Sequence, residues 1–362
     1  MNRLTIIPGL RRLWRGPNEI QFGIDPARAV VIHLTDPGHG RIVDLLDGSR
    51  NDSAVLRDAA AFGISSRDAY DLLAALRNAG VVTSSAAVLP DNLTGPTRGR
   101  LAVEASSIAI SGRGAAEHPT AAEAIRRRAA ASILVIGATR LVVPIAAALA
   151  AAGIGHVDPQ VRGRVRTSDV AVGGLCPADV GQPRANAAAA AIMRVAPDVD
   201  TRRLRDGAAT FVIQVGQTAP AEVFAHGLAR RRLPHLLVEE RDDAILVGPL
   251  VSPDRGACLH CLDLHRRDRD GVWPALAAQL ATAPDEPPTV ATSTTLVSVG
   301  IVAGQVLGHI DGIEVDTLDA SLEITPPAHV RRRSWAPHPA CSCAGRPTRK
   351  DALPRHRAAE AA

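Results

Sequence analysis

The first eighty or so positions change hydrophobic period once. Leu10 to Trp14, Glu19 to Ile24 and Ala29 to Leu34 are short alternating segments, separated by Gly16-Pro17-Asn18 and Asp25-Pro26. A period of two marks half-buried strands, and the Gly, Pro, Asn and Asp residues between them suit tight turns, so a three-stranded meander is predicted. After Pro37 the period becomes helical. Ile42, Val43, Leu45 and Leu46 share one side and stop at Gly48, and a second helix runs from about Asp52 to Phe62 and ends at Gly63. A third starts behind Ser65 and Ser66, carries Ala69, Leu72, Leu73 and Leu76 at three- and four-residue spacing, and ends at Asn78-Ala79-Gly80. Serine at the start and glycine at the end are the expected stops of such a helix. Residues 84–100, from Ser84 through Gly95-Pro96, read as a linker, and the last stretch, 346–362, as a disordered tail.

Downstream, Ser132 to Ile136 is a branched apolar run, Gly137 marks a turn, and an alanine-rich segment follows as far as Gly153. Strand, tight turn and buried helix in that order open a doubly wound α/β fold, which residues 101–345 are long enough to complete. A dinucleotide or ATP site in this fold needs the loop pattern G-x-G-x-x-G, because only glycines let backbone N–H groups close on phosphate. Here Gly137 stands alone, with Thr139 and Val142 at the other glycine positions. Asp158 is the candidate acid for ribose hydroxyls, but it follows Gly155 so closely that it falls early in the second strand. Arg140 and Arg184 are the remaining candidates for a phosphate contact, so the candidate site is a degenerate one. ATP is a doubtful ligand for it, and weak nucleotide binding stays open.

The 362 residues are 46% hydrophobic and 22% charged, the composition of a folded globular chain. Four Phe, three Trp and one Tyr leave little with which to stack single-stranded nucleic acid. Of 41 basic residues only Lys350 is lysine, so no mechanism within the fold can use a lysine. Arginine suits carboxylates and phosphates, so an acidic peptide or an anionic ligand is a plausible partner, and a genome-wide bias toward arginine codons accounts for the composition equally well. Val290 to Gly308 has no charge and approaches the roughly 18 apolar residues that can span a bilayer, but its Thr, Ser and Gly content fits a helix packed inside a domain or dimer. The start of the chain lacks a signal-peptide-like apolar run. The expectation is a cytoplasmic protein without a membrane partner, and a homodimer.

Three strands and three helices over residues 5–83 make a small winged-helix-like α+β domain, a shape that often binds DNA. Its third helix, Arg67 to Arg77, balances two acids against two arginines and is poorly suited to neutralising phosphates. A peptide can instead add as a strand to an open sheet edge, with its side chains on the third helix. The candidate contacts are Val30, Val31, Ile32 and His33 on the edge and Arg67, Tyr70 and Arg77 on the helix. This order of elements resembles the precursor-peptide recognition domains similar to the small chaperone PqqD.

Five cysteines occur, among them a C-x-x-C pair, Cys258 and Cys261, and a C-x-C pair, Cys341 and Cys343. Paired cysteines at this spacing are metal ligands, and four thiolates close a tetrahedral structural zinc site with no open position for water. Its expected work is to tie the C-terminal region to the loop that follows the sheet. His260, His265 and His338 read as surface histidines, and Cys176 as a buried apolar residue.

Ile133 to Gly137, Ala151-Ala152-Gly153-Ile154-Gly155, Asp179 to Ala185 and Pro249-Leu250-Val251 ahead of the cysteine pair resemble the ubiquitin-activating-type ThiF/MoeB superfamily. That resemblance implies a Rossmann-like fold over residues 130–345. Adenylating members carry a GxGGLG-like loop, an Asn-x-x-Arg segment and a lysine in the helix whose place Arg184 takes here. These three departures argue for an inherited fold without adenylation. The segment Val247 to Pro274 and the tail Trp335 to Cys343 are similar to actinobacterial, cyclodehydratase-associated members that bind leader peptides.

The resemblance implies a leader-peptide-binding scaffold for azoline- or azole-forming modification of a ribosomally made, bacteriocin-type precursor, partnering a YcaO-type cyclodehydratase. It implies no catalytic residue of its own. The alternative is an ATP-dependent adenylyltransferase activating the C-terminus of a ubiquitin-like sulfur carrier. In that reading Arg140 and Arg184 contact phosphates and Asp158 the ribose or magnesium. A zinc-containing NAD(P) oxidoreductase stands last, because it needs the missing glycines and an open metal position.

Overall fold

A computed structural model describes residues 3–113, 118–216, 227–228, 231–253, 255–282 and 289–343. The expected tail at 346–362 lies outside the described residues. The chain divides into two compact units, Met1–Arg127 and Arg128–Ala362.

In the first unit, β2 (Arg12–Gly16), β3 (Glu19–Phe22) and β4 (Val30–His33) form the antiparallel meander that the alternation predicts. A second sheet has the order β5-β1-β6, with β1 at Arg3–Ile6, β5 at Asp47–Asn51 and β6 at Val82–Ser84. The helix expected after Pro37 is a 3-10 turn followed by α1 (Arg41–Asp44). Next come α2 (Asp52–Ala60) and α3 (Ser66–Asn78), each held at its start by a side chain. Asn51 accepts the Ala54 N–H at 2.9 Å and Ser65 the Asp68 N–H at 3.1 Å. Phe22, Ile20, Ile42, Leu73 and Leu76 are fully buried between sheets and helices, with Val30 and Ile32 packed against them.

The linker expected at 84–100 is a correction. It contains α4 (Ser85–Val88) and the start of α5 (Gly95–Ser111), and Val88, Leu89, Leu101 and Ala105 form a small core with Ala121 and Ile125 of α6 (Ala121–Ala130). The apolar positions there are sparse but fall on one face, which the Ser- and Pro-rich composition masks. The first unit therefore extends to Arg127 rather than ending at Thr83.

The second unit is built on a seven-stranded mixed sheet of order β13-β12-β11-β10-β9-β7-β8. Its strands are β7 (Ser132–Gly137), β8 (His156–Gln160), β9 (Phe211–Val215), β10 (His235–Arg241), β11 (Ala244–Val251), β12 (Ala320–Thr325) and β13 (His329–Ser334). The first four are parallel and the last three add antiparallel. From β7 the chain passes to β8 on one side and β9 on the other, so the strand order reverses there and leaves a crevice beyond the strand ends.

Two helices, α7 (Val142–Ala151) and α8 (Arg184–Val195), belong to the parallel half. The cysteine-bearing α9 (Leu259–Arg269), then α10 (Trp273–Thr282) and α11 (Thr292–Asp311), belong to the antiparallel half. Among the described residues α11 alone is long and apolar enough to cross a membrane, with mean hydropathy 1.4. It packs on α7 and β11, and two of its buried hydroxyls bond back along the chain, Ser298 to the Thr294 carbonyl at 2.8 Å and Thr295 to the Ala291 carbonyl at 3.0 Å. Asp311 at its end meets buried Arg128 through two bonds of 3.0 and 2.7 Å. Arg128 also donates to the Ala152 carbonyl at 3.1 Å, so one satisfied ion pair fixes the end of α7 against the end of α11.

Candidate functional site

The four paired cysteines come together. Their sulfurs all lie within 4.8 Å of one another, with Cys258 3.7 Å from Cys261 and 3.6 Å from Cys341, and Cys261 3.1 Å from Cys343. A zinc ion with sulfurs at about 2.3 Å needs sulfur–sulfur edges of about 3.8 Å, so the cluster fits it. Local chemistry aims the ligands. Gly256 takes φ +84° and sits so close to Asp319 that a Cβ there would meet its Oδ1 at 2.5 Å. The same carboxylate accepts the Ala257 N–H at 2.6 Å, which holds the turn entering α9 against the start of β12. Arg266 of α9 donates to buried Glu239 at 3.1 Å and so ties the cysteine helix to β10. Burial pushes the Glu239 carboxyl up, and Arg266 and Arg241 more than offset it, leaving it below the usual range.

With only thiols present, the group favours its protons. The Cys258 thiol, donating to Cys261 and half buried, is pushed up to about 12, and burial pushes Cys343 up to about 11. A dication reverses this balance by stabilising the thiolates directly.

His338 is a correction to the surface reading, for it is buried with both ring nitrogens engaged. Its Nδ1 accepts the Ala340 N–H at 3.1 Å, which leaves the proton on Nε2 to donate to Asp268 at 2.8 Å. Its backbone N–H donates to the Cys261 sulfur at 3.3 Å. His338 thus shapes the second cysteine turn without offering a nitrogen to a metal, and no sequence spacing marks that role. His265 Nε2 donates to the Ala336 carbonyl at 2.9 Å, and the ring packs edge-on against His338. Cys176 lies in a different turn, where its N–H meets Asp179 at 2.8 Å, and takes no part in the cluster.

The nucleotide-type loop after β7 is closed by its own atoms. Thr139 Oγ1 accepts the Leu141 N–H at 3.2 Å and the Thr139 carbonyl accepts the Val142 N–H at 3.4 Å. Two backbone donors at the start of α7, where a phosphate would be cradled, are thus engaged within the loop. Gly137 serves packing, since a Cβ there would meet the Val215 carbonyl oxygen of β9 at 2.2 Å.

The other candidates separate from the loop. Arg140 donates to the Val290 carbonyl and, at 3.1 Å, to Thr295, and so secures the entry to α11. Asp158 sits mid-strand opposite Leu134 and accepts the Leu204 N–H at 2.9 Å, which removes it from the ribose position; Gln160 occupies the strand's end instead. Arg184 is buried, pairs with Asp169 at 3.2 Å and donates to the Thr139 carbonyl at 3.0 Å. Its Nε has no partner among the described residues.

Glu240, at the end of β10, stands beside Thr139 and Arg140, with one carboxylate oxygen buried and unpartnered among the described residues. Burial raises its pKa, partly countered by the Thr139 hydrogen bond and by Arg140. Because the folded value lies above the unfolded one, the contribution to stability is complete at acidic pH and is lost as pH rises through the folded value. Glu240→Gln is therefore expected to stabilise the fold by about 1 kcal/mol at neutral pH. The gain should vanish near about pH 4, where the glutamate is already protonated; thermal unfolding at the two pH values measures the difference.

In the first unit, β4 is an edge strand. Leu34 N–H bonds to Asn18, and the register pairs Ile32 with Ile20 and Val30 with Phe22, so the even residues face β3 while the N–H groups of Val31 and His33 point away from it. Val30 and Ile32 pack on the core, and exposed His33 lies 3.1 Å from Glu19. Arg67, Tyr70 and Arg77 fall on one stripe of α3 by helical spacing, with Tyr70 62% exposed. Arg67 reaches Asp71 at 4.0 Å, and Arg77 is tied to Asp52 of α2.

Parallel strands, the reversal at β7 and the cysteine-tied antiparallel extension define a Rossmann-like domain of ThiF type. Residues 116–224 match the model of the ThiF family, so the chain carries a ThiF family domain. No curated protein sequence matches the chain.

Among solved structures it is similar to E. coli MccB with AMPCPP and the peptide MccA, at 12% identity and TM-score 0.65, covering 94% of this chain and 99% of that one. The microcin C7 biosynthetic enzyme MccB in complex with N-formylated MccA gives TM-score 0.66 at 12% identity, with coverage of 94% and 98%. The heterocyclase TruD gives TM-score 0.63 at 14% identity, with 94% of this chain spanning 42% of TruD.

Proposed function

We propose that this protein is a peptide-recognition scaffold for the modification of a ribosomally made precursor. Its first unit takes a leader segment on the β4 edge, and its ThiF domain supplies docking surface in place of adenylation. The observation that carries this reading is the loop after β7, whose N–H donors Leu141 and Val142 are spent on Thr139. The likeness to proteins solved with a precursor peptide, over nearly the whole chain, supports a peptide partner.

Ring formation then falls to a separate YcaO-type cyclodehydratase, consistent with a chain that spans less than half of the heterocyclase TruD. A homodimer, cytoplasmic location and the absence of nucleic acid and membrane partners belong to the same reading. The four cysteines would hold one structural zinc ion, which supplies cross-linking rather than Lewis-acid chemistry because four thiolates fill its coordination.

The second reading, an adenylating enzyme, draws on the likeness to MccB, which has also been solved with ATP. Calorimetric titration of the zinc-loaded protein with magnesium-ATP separates the two. The scaffold predicts no heat of binding at millimolar nucleotide. Micromolar binding would sink it and turn attention to the carboxylate being activated.

A further inference from the structure

A cavity of about 590 Å³ opens beyond the ends of β7 and β8. Its lining includes Gly137, Gln160, Arg162, Arg164, Arg166 and Arg184, with no aspartate or glutamate among the described residues. The arginines are placed there by the segment after β8. Val161 and Val165 are buried, and Arg162, Arg164 and Arg166 are turned to the exposed side. The segment is pinned by backbone bonds from Val165 to Gln182 at 3.0 Å, Gly181 to Val165 at 2.9 Å and Arg184 to Gly163 at 2.9 Å. Arg164 donates to the Gly181 carbonyl at 2.7 Å, and Arg184 is neutralised by Asp169. The guanidinium groups of Arg162 and Arg166 make no hydrogen bond or ion pair among the described residues, while the Arg166 backbone N–H donates to Asp169 at 2.8 Å.

A concave site lined by one sign of charge concentrates counter-charged ligands, and guanidinium groups match oxyanions with paired donors. Two features weigh against a nucleotide as that ligand. The Leu141 and Val142 N–H donors are engaged by Thr139, and Gln160 stands where an acid would hold ribose. What remains is a carboxylate-binding surface without a phosphate cradle.

We propose that this cavity binds an acidic segment of a peptide, its Asp or Glu carboxylates seated on Arg162, Arg164 and Arg166. The inference deepens the peptide-recognition reading and rests on it for the class of ligand, while using residues of the second unit alone.

The test is fluorescence anisotropy of the full-length, zinc-loaded protein with a fluorescein-labelled hexaglutamate peptide. The Arg162 and Arg166 side chains are exposed, and the bonds of Arg166 to Asp169 use its backbone, so R162Q/R166Q should fold normally, which its thermal melt checks. The expected result is an affinity lower by about tenfold or more in the double variant, with a shallower dependence on salt. Unlabelled magnesium-ATP should fail to displace the peptide from the wild-type protein.

Equal affinity of wild type and variant would overturn the proposal, as would displacement by ATP at lower concentration than by unlabelled hexaglutamate, which would mark a nucleotide site. Val31→Pro on the β4 edge should leave hexaglutamate binding intact. If leader binding to the first unit is absent and the arginine effect persists, the edge reading falls and the cavity stands; the converse pattern removes the cavity alone.

Discussion

Val31→Pro is expected to weaken binding of a leader peptide by about a hundredfold while leaving the fold in place. The leader would come from a short peptide gene beside this protein's own, and isothermal titration reads the affinity. Strand addition draws its energy from main-chain hydrogen bonds, each contributing about 1 kcal/mol net, and from the close approach that lets side chains reach neighbouring pockets. Val31 presents its N–H to the open side of β4, so proline there removes a donor and places a ring where the incoming backbone must lie. The β3–β4 ladder runs through Val30, Ile32 and Leu34 and keeps its bonds. Val31→Thr, which keeps the donor, should bind as the wild type does. Equal binding by the proline variant would mean that the peptide sits elsewhere, and Arg67 and Tyr70 on α3 would become the next residues to change.

Replacing one metal ligand should have the largest effect on stability. Cys261→Ser is expected to abolish stoichiometric zinc by elemental analysis and to lower the midpoint of thermal unfolding by about 10 °C, from a loss of several kcal/mol of metal binding. Cys261 is fully buried against Cys343 and also accepts the His338 N–H, so a serine there loses a thiolate and leaves a poorer acceptor in the same space. Limited proteolysis should cut first near residues 335–343, since the cluster of Cys258, Cys261, Cys341 and Cys343 anchors that stretch. The parallel strands, whose core is built from Ile133, Val135, Ile145 and Leu149, should resist cleavage. Cys176→Ser is the control and should change neither zinc content nor melting, because Cys176 lies outside the cluster. Full zinc retention in Cys261→Ser would remove the four-thiolate site.

How far the sequence discloses the molecule depends on the range of the interaction. The β2–β4 meander, α3 and the β7–α7 unit follow from patterns within a dozen residues, where period and capping act. The β5-β1-β6 sheet does not, because Asp47–Asn51 is polar and the central strand Arg3–Ile6 finds both its partners, Asp47–Asn51 and Val82–Ser84, far along the chain. The cysteine cluster is legible because thiolates at short spacing have few uses besides metal binding.

The degenerate loop is visible as lost glycines, yet its closure by Thr139 depends on where one hydroxyl points. Arg140 finds its partner 150 positions away at Val290, beyond any local pattern. The arginines at positions 162, 164 and 166 stand in plain view in the sequence. Only the fold shows that they line one cavity while the neighbouring Val161 and Val165 turn inward.

The two cysteine pairs also set an order of events at birth. Residues 1–127 leave the ribosome early and hold a core of their own, and domains generally fold as units while synthesis continues. Cys258 and Cys261 must then wait for Cys343, which lies 82 positions beyond Cys261, before the metal site can close. A metal such as zinc would therefore enter a chain whose first unit is already complete. In a cell starved of zinc, the chains that accumulate should have a finished amino-terminal unit and an unlatched carboxy-terminal one, exposed to proteases at that end alone.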